Sequence, residues 1–368
     1  ADCVIPMSTE KKRFGWPTIV GVIVTIPILW WSLRGIHFAE VFEYFREARK
    51  APLIGAMIAV AAAIPVRAAR WRVLLRRENP YLPLAPLYLA TSAGFAINNL
   101  LPARAGEIAR AYAARRLTGV RFSAAITTIL MSRVFDGVTL FLILALASFL
   151  GALAPDFTLA GVTVARIMQV ATVVFAALFV LAAVATRFPE VFLSGARKVS
   201  HIVLPDKLAD RIVQGLHGIL DSLAVVGSLR ALAVVMGWSA AIWAINGVSI
   251  VLGFIAFDLA VPWHGAFVMQ SLVNFGLAIP STPGFVGVFE ALIRASLSIY
   301  GVPAAEAISF AVAYHFCSYA PLTVIGLWSL TRARIRMSEV QEEVHERVSG
   351  AVQRLTGTFH GTLEAPGK

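Results

Sequence analysis

The chain has 368 residues, of which 58% are hydrophobic and only 14% charged, and its mean hydropathy is +0.76. A water-soluble domain clothes its surface with about a quarter charged residues, so a soluble globular protein is excluded and lipid is the expected solvent. The net charge of +11 and pI near 10.2 would suit nucleic acid, but the Lys and Arg residues cluster at the ends of long uncharged runs, which is the pattern of cytoplasmic membrane flanks.

Residues 1–13 read as a cytoplasmic leader, with 1–6 a remnant ahead of a natural start at Met7. Cys3 has no apolar run before it and Cys317 stands alone, so neither a lipoprotein signal, a disulfide nor a metal site is expected. The first uncharged run, 14–33, is long enough to span and follows Lys11, Lys12 and Arg13. A second span begins near Ala51 and ends in the arginine block RAARWRVLLRR (67–77), where Arg70 beside Trp71 reads as snorkelling to the interface.

The run 79–103 is spanning in length but carries Pro80, Pro83, Pro86, Gly94, Asn98, Asn99 and Pro102, and basic residues stand on both sides of it. It is expected to enter the membrane and return on the same side. Residues 122–153 form a span interrupted by Arg133 and Asp136, and 167–186 cross back. A polar interlude over 187–230 reads as an amphipathic cytoplasmic linker. Residues 231–257 cross again, 259–289 form a second broken stretch (Pro262, Pro280, Pro283, Gly284, Gly287), and 307–331 cross last. Arg332, Arg334 and Arg336 pin the C-terminal side in the cytoplasm, and 337–368 form a charged tail.

The expected fold is therefore all-α and polytopic: an integral membrane domain over 14–336, with about six full transmembrane helices and two re-entrant, broken segments. Those two segments resemble each other. GFAINNLLPARAGEIARAY (94–112) and NFGLAIPSTPGFVGVFEAL (274–292) both run asparagine, apolar residues and proline, then glycine four positions after the proline and a glutamate soon after. Entering from opposite faces, they form an inverted-topology repeat, which in transporters meets near the midplane around a substrate.

Broken helices survive in a membrane only against protein or a polar cavity. A helix restarting after Pro102 or Pro283 would aim free N–H groups and a positive dipole end inward, suiting a phosphate, with Arg104 and Arg110 adding charge-assisted bonds. The alternative is that Pro and Gly merely kink ordinary helices. The candidate substrate-binding residues are Asn98, Asn99, Arg104, Glu107, Arg110, Arg133, Asp136, Asn274, Ser281, Thr282 and Glu290. Arg133 and Asp136, three apart on a helix, share a face and can pair; either they lock the helix to its neighbours or Arg133 binds an anionic headgroup while Asp136 orients it. Glu107 and Glu290 either cap freed amides, couple protons, or pair with Arg104 and Arg110. The histidines form no site, and His315 reads as buried and bonded.

The run NNLLPARAGEIARAY, the intramembrane SRVFD (132–136) and PSTPGFVGVFE resemble the lysylphosphatidylglycerol synthase transmembrane family. The resemblance covers 67–332 and implies a flippase-like membrane protein without the soluble aminoacyltransferase domain of the full-length synthases. It implies movement of phospholipids, hopanoid-type lipids or polyprenyl-linked sugars. One departure is that the second motif often has paired glycines after the proline, whereas here Phe285 follows Gly284, and the resemblance then implies either a narrower cavity or an altered substrate choice.

The expected function is that of a lipid flippase in the bacterial inner membrane, not an enzyme, with both termini cytoplasmic. It would pass the headgroup of an anionic phospholipid or polyprenyl-phosphate-linked lipid through a polar cavity. No cofactor or nucleic acid is expected, no nucleotide-binding GxxxxGK[ST] loop occurs, and homo-oligomerisation is left open. The alternatives are a membrane glycosyl- or lipid-group transferase and a non-catalytic scaffold of a lipid-synthesis complex.

Overall fold

The computed structural model describes residues 45–101, 104–149, 188–203, 229–278 and 283–336, with a few positions besides. Within these the chain is helical apart from one two-residue antiparallel pairing, Thr158–Leu159 with Val162–Thr163. The helices are α1 (Lys50–Leu74, extended by a 3-10 turn, Leu75–Arg77), α2 (Leu84–Leu100), α3 (Ala105–Thr118), α4 (Phe122–Phe149) and α5 (Pro189–Val203), then α6 (Leu229–Ala256), α7 (Trp263–Gly276), α8 (Val288–Ser298) and α9 (Ala304–Arg332).

Four of these, α1, α4, α6 and α9, are long and apolar enough to cross a membrane. At 1.5 Å per residue they measure about 37–44 Å. Of the six expected spans these are the four that fall on described residues; those at 14–33 and 167–186 lie outside them. Ile54, Ile58, Leu130, Val134, Leu142, Leu146, Val248, Phe316 and Val324 are all exposed on these helices, a belt that water would penalise and hydrocarbon accepts. Their hydroxyls are satisfied without solvent: Ser132, Thr139, Ser239, Ser318 and Ser329 each donate to the carbonyl four residues back. The chain is a multi-pass membrane protein.

The helix directions follow from two clusters, one at each end of the bundle. Leu74, Leu75, Leu82, Val120, Ala125, Val235, Leu330 and Ile335 pack together at one end. Ala48, Leu53, Ala256, Phe257, Leu259, Ala266, Leu297 and Ala307 pack at the other. So α1 and α9 run from the second end to the first, and α4 and α6 run back. The first end carries exposed Arg76, Arg77, Arg115, Arg116, Arg121, Arg230, Arg332, Arg334 and Arg336. Arg121 there chelates Glu78 through Nε and Nη2 at 2.8 and 2.7 Å, and these bonds hold the Glu78 carboxyl below its ordinary value. Arg116 pairs with Glu339, tying the start of the tail to α3. The second end has Arg49 paired with Asp258 at 2.9 Å.

Between the spanning helices sit two helical hairpins. α2 and α3 start and finish at the arginine-rich end; α7 and α8 start and finish at the opposite end. The two hairpins thus lie at opposite ends of the bundle, and the two broken motifs fall on them. Helix α2 packs against α9 so closely that a Cβ on Gly326 would lie 2.3 Å from the Ser92 carbonyl oxygen. The α2–α3 pair is as tight, through Gly94 and Gly106, and only glycine permits that approach. The polar interlude is helical over α5, where Phe188 and Val191 are exposed and Arg197 lies 3.6 Å from Asp210.

Candidate functional site

The two hairpin tips meet each other. A Cβ on Gly284 would sit 3.2 Å from the Asn99 carbonyl oxygen, and the Arg104 guanidinium donates to the Leu277 carbonyl at 2.5 Å. Arg104 occupies the first tip in the left-handed region (φ 54°, ψ 34°), a conformation costing a non-glycine residue about 1–2 kcal/mol. In the second tip Gly284 and Phe285 are both left-handed (φ 63° and 60°). Phe285 thus stands in a glycine-like conformation where the resembled motif has a second glycine, and its ring adds to the cavity wall.

That cavity, of about 340 Å³, lies between the tips and the spanning helices. Arg67, Arg104 and Arg133 line it with Asp136, and its neutral polar groups include Asn98, Asn99, Asn246, Gln270 and Asn274. Six of the candidates named from the sequence therefore face one space: Asn98, Asn99, Arg104, Arg133, Asp136 and Asn274. Ser281 and Thr282 lie outside the described residues.

The pairing of charges departs from the sequence expectation at several points. Arg133 does not pair with Asp136. Asp136 is 5% exposed and points between α1 and α6, where Arg70 clasps both its oxygens at 2.6 and 3.1 Å. Trp243 donates to it at 3.2 Å and Arg67 lies at 3.8 Å. Arg70 is no snorkelling residue: it is 2% exposed and also donates to Ser239. Arg133 extends the other way, 45% exposed, to Glu107 at 2.8 Å. Helical spacing put the two residues on one face, but a long side chain and a short one diverge from it toward different neighbours.

Glu107 consequently pairs with neither Arg104 nor Arg110. Arg110 does not line the cavity; its guanidinium stacks 3.9 Å from the Trp71 ring centroid, behind the site. Nor are the helix starts free for phosphate as expected. The Gly106 N–H donates to Asn98 Oδ1 at 2.8 Å, and the Gly287 N–H donates to Glu290 Oε2 at 2.6 Å. Glu290 is thus a cap, one of the three roles foreseen for it, and it does not line the cavity.

Its other oxygen lies 2.5 Å from His315 Nδ1, while His315 Nε2 lies 2.9 Å from the Gly284 carbonyl. A carbonyl only accepts, so Nε2 carries a proton. The Nδ1–Oε1 contact is then either imidazolium with carboxylate or imidazole with carboxyl, and both are neutral as a pair. His315 is buried and bonded as expected, yet it does belong to a constellation, since it ties the second tip to α9.

Sequence reading missed Arg67 and Gln270. Arg67 was absorbed into a flanking basic block, but it is wedged between the Phe95 and Trp243 rings at 5.6 and 5.3 Å. Its position three residues before Arg70, one helical turn, was the available signal. Gln270 had no signal beyond being polar in an apolar run. Asn99 Nδ2 bonds Thr323 Oγ1 at 2.9 Å, and Asn274 Nδ2 bonds the Gln270 carbonyl, so both amides orient backbone and helix contacts at the cavity wall.

Arginines outnumber acids around this space. Arg67, Arg70, Arg104, Arg110 and Arg133 cluster with two carboxylates, Asp136 and Glu107, and the Nε atoms of Arg70, Arg104 and Arg110 are buried without a hydrogen-bond partner. Uncompensated cations in an apolar setting are costly. Arg133 stands about halfway along α4, eleven residues or roughly 16 Å from its start. It is half exposed there, at the lip of the cavity.

Comparison with known proteins agrees with this architecture. The family described as the lysylphosphatidylglycerol synthase TM region matches residues 18–326. The chain is 24% identical to "Glycosyltransferase AglD" of Haloferax volcanii over 354 residues, covering 89% of this chain and 56% of that protein. It is 22% identical to a "UPF0104 membrane protein" of Methanothermobacter thermautotrophicus, covering 86% of this chain and 92% of that protein. The chain thus spans little more than half the length of the first relative.

Proposed function

The chain belongs to the family of lysylphosphatidylglycerol synthase transmembrane regions, and on that premise we propose that it is a lipid flippase. It passes the headgroup of an anionic phospholipid or polyprenyl-phosphate-linked lipid across the cytoplasmic membrane while the acyl or prenyl tails stay in hydrocarbon. The observation that carries this reading is the cavity's charge: three arginines line it against one carboxylate, and that carboxylate is already clasped by Arg70. An anion entering sideways past Arg133 would meet Arg67 and Arg104 between the hairpin tips. Hairpins entering from opposite faces supply two sides between which access can alternate. By the excess of arginine at one end, that end faces the cytoplasm, with the C-terminal tail beside it.

The rival reading, glycosyl transfer, takes its support from the name of the Haloferax relative. It needs a carboxylate free to act as a base. Among the described residues the cavity offers only Asp136, held by arginines and Trp243.

The test is reconstitution into vesicles containing acyl-chain-labelled phosphatidylglycerol, with dithionite quenching of label that reaches the outer leaflet. Protein should expose inner-leaflet label, and Arg104→Gln or Arg133→Gln should slow this about tenfold, as expected for one charge-assisted bond of about 1.5–3 kcal/mol. Absence of movement for every anionic lipid, with a product formed from an activated sugar donor, would overturn the flippase in favour of a transferase.

A further inference from the structure

We propose that the buried Glu290–His315 pair is a proton-binding site, and that the protein moves its anionic lipid together with one proton. This rests on the flippase reading and goes further by naming the co-transported ion and the residues that hold it.

The pair fastens the second hairpin tip to α9. Glu290 Oε2 accepts the Gly287 N–H at 2.6 Å, Glu290 Oε1 meets His315 Nδ1 at 2.5 Å, and His315 Nε2 donates to the Gly284 carbonyl at 2.9 Å. Both side chains are buried. Between these anchors the tip runs through positive-φ residues, Gly284, Phe285 and Gly287, a backbone that persists only where its surroundings hold it. The pair stands directly behind the cavity wall. Phe289 and Tyr319 line the cavity and pack on the His315 ring at 4.5 and 4.2 Å between centroids, and Phe285 of the tip belongs to the same wall.

The contact between Nδ1 and Oε1 exists at one proton count only. With Nε2 protonated toward Gly284, a single proton lies between the two atoms. A second proton would set an N–H against an O–H, and loss of the first would set a lone pair against a carboxylate oxygen. Either change removes the bond, and buried polar groups left unpaired favour another arrangement, so a gained proton releases the tip from α9. The gain also turns a neutral pair positive, beside a cavity where Arg67, Arg104 and Arg133 face Asp136 as the one carboxylate among the described residues. Like charge in a low-dielectric space opposes that step, and an anionic headgroup in the cavity relieves it. Proton uptake and headgroup binding therefore favour one another, as linked equilibria require. The other ionisable groups on the surrounding elements do not compete for this role. Tyr314, Cys317 and Tyr319 on α9 and Tyr88 on α2 are neutral at neutral pH and below. Arg294 on α8, Arg67 on α1 and Arg104 in the first tip keep their charge. Helix α7 contributes His264, at its start against Trp263.

The experiment places the protein in vesicles with acyl-chain-labelled phosphatidylglycerol, imposes a pH difference and clamps the membrane potential with potassium and valinomycin. With one proton carried per lipid, label should accumulate on the alkaline side until the leaflets differ by about tenfold for each unit of pH difference. The readout is the dithionite-accessible fraction at steady state, corrected for protein-free vesicles, and nigericin should restore an even distribution. Glu290→Gln keeps an acceptor for the Gly287 N–H and offers Nδ1 an N–H, so it holds the tip to α9 without exchanging a proton, and accumulation should vanish. His264→Gln should accumulate label as the wild type does. The wild-type measurement needs no substitution, so it stands whether or not the variants fold. Label that moves yet stays evenly distributed at every pH difference, or gathers on the acidic side, would overturn the proton coupling while leaving a flippase intact. Accumulation that survives Glu290→Gln would overturn the assignment to this pair. Immobility of every anionic lipid, with and without a pH difference, would overturn the flippase reading itself.

Discussion

Substituting Gly106 with alanine tests the contact on which the first hairpin depends. A Cβ at this position would lie 2.0 Å from the Gly94 carbonyl oxygen and 2.6 Å from Asn98 Cγ and Oδ1. Carbon and carbonyl oxygen normally stay about 3.3 Å apart or more, so α2 and α3 must separate by roughly 1.3 Å. Neither neighbour yields cheaply, since one is backbone and the other is the amide that accepts the Gly106 N–H at 2.8 Å. Overpacking of this kind costs about 1–3 kcal/mol, and loss of the Asn98 bond adds about 1 kcal/mol. The expected destabilisation is therefore about 2–4 kcal/mol, with the Arg104 tip displaced from Leu277. The assay is reversible unfolding in mixed dodecyl sulfate micelles followed by tryptophan fluorescence. Gly237→Ala on α6 is the control, for no heavy atom lies within 4 Å of its added Cβ; it should be neutral or up to about 1 kcal/mol more stable through helix propensity. Equal stability for Gly106→Ala and Gly237→Ala would refute this packing of the α2–α3 hairpin.

The Arg70–Asp136 clasp makes a related prediction. Asp136→Asn should cost about 3–5 kcal/mol in the same assay, because it leaves a buried guanidinium without its counter-charge. Replacing Arg70 and Asp136 together by Met and Leu should recover most of that loss; a double variant no better than the single one would show that the pair is not the structural unit. For the second tip, His315→Leu leaves Gly284 and one oxygen of Glu290 unbonded, and should destabilise by about 3 kcal/mol. Glu290→Gln should cost less, since it keeps an acceptor for the Gly287 N–H, and the reverse order in limited proteolysis of the α7–α8 turn would contradict this division of roles.

Much of this protein was legible without coordinates. Few charges and long uncharged runs admit lipid as the only solvent, so membrane residence and the spans at α1, α4, α6 and α9 followed from composition and length. The two broken motifs announced two interrupted helical segments because Pro and Gly interrupt a helix whatever surrounds it. Asn98, Asn99, Arg104, Arg133, Asp136 and Asn274 come to line one cavity because polar groups in an apolar run have few places to go.

Only the tertiary structure decided which of those groups answer one another. Helical spacing proposed Arg133 with Asp136, but Asp136 faces α1 and Arg133 faces α3 across different seams, so the pairs are Arg70–Asp136 and Arg133–Glu107. Arg110 turned to the Trp71 ring and Glu290 to His315, leaving Arg67 and Gln270 in the cavity where neither had been expected. A single chain's sequence records how costly each polar group is in hydrocarbon. Which partner offsets that cost depends on contacts between residues 66, 25 or 26 positions apart, and those distances are set by how the helices pack.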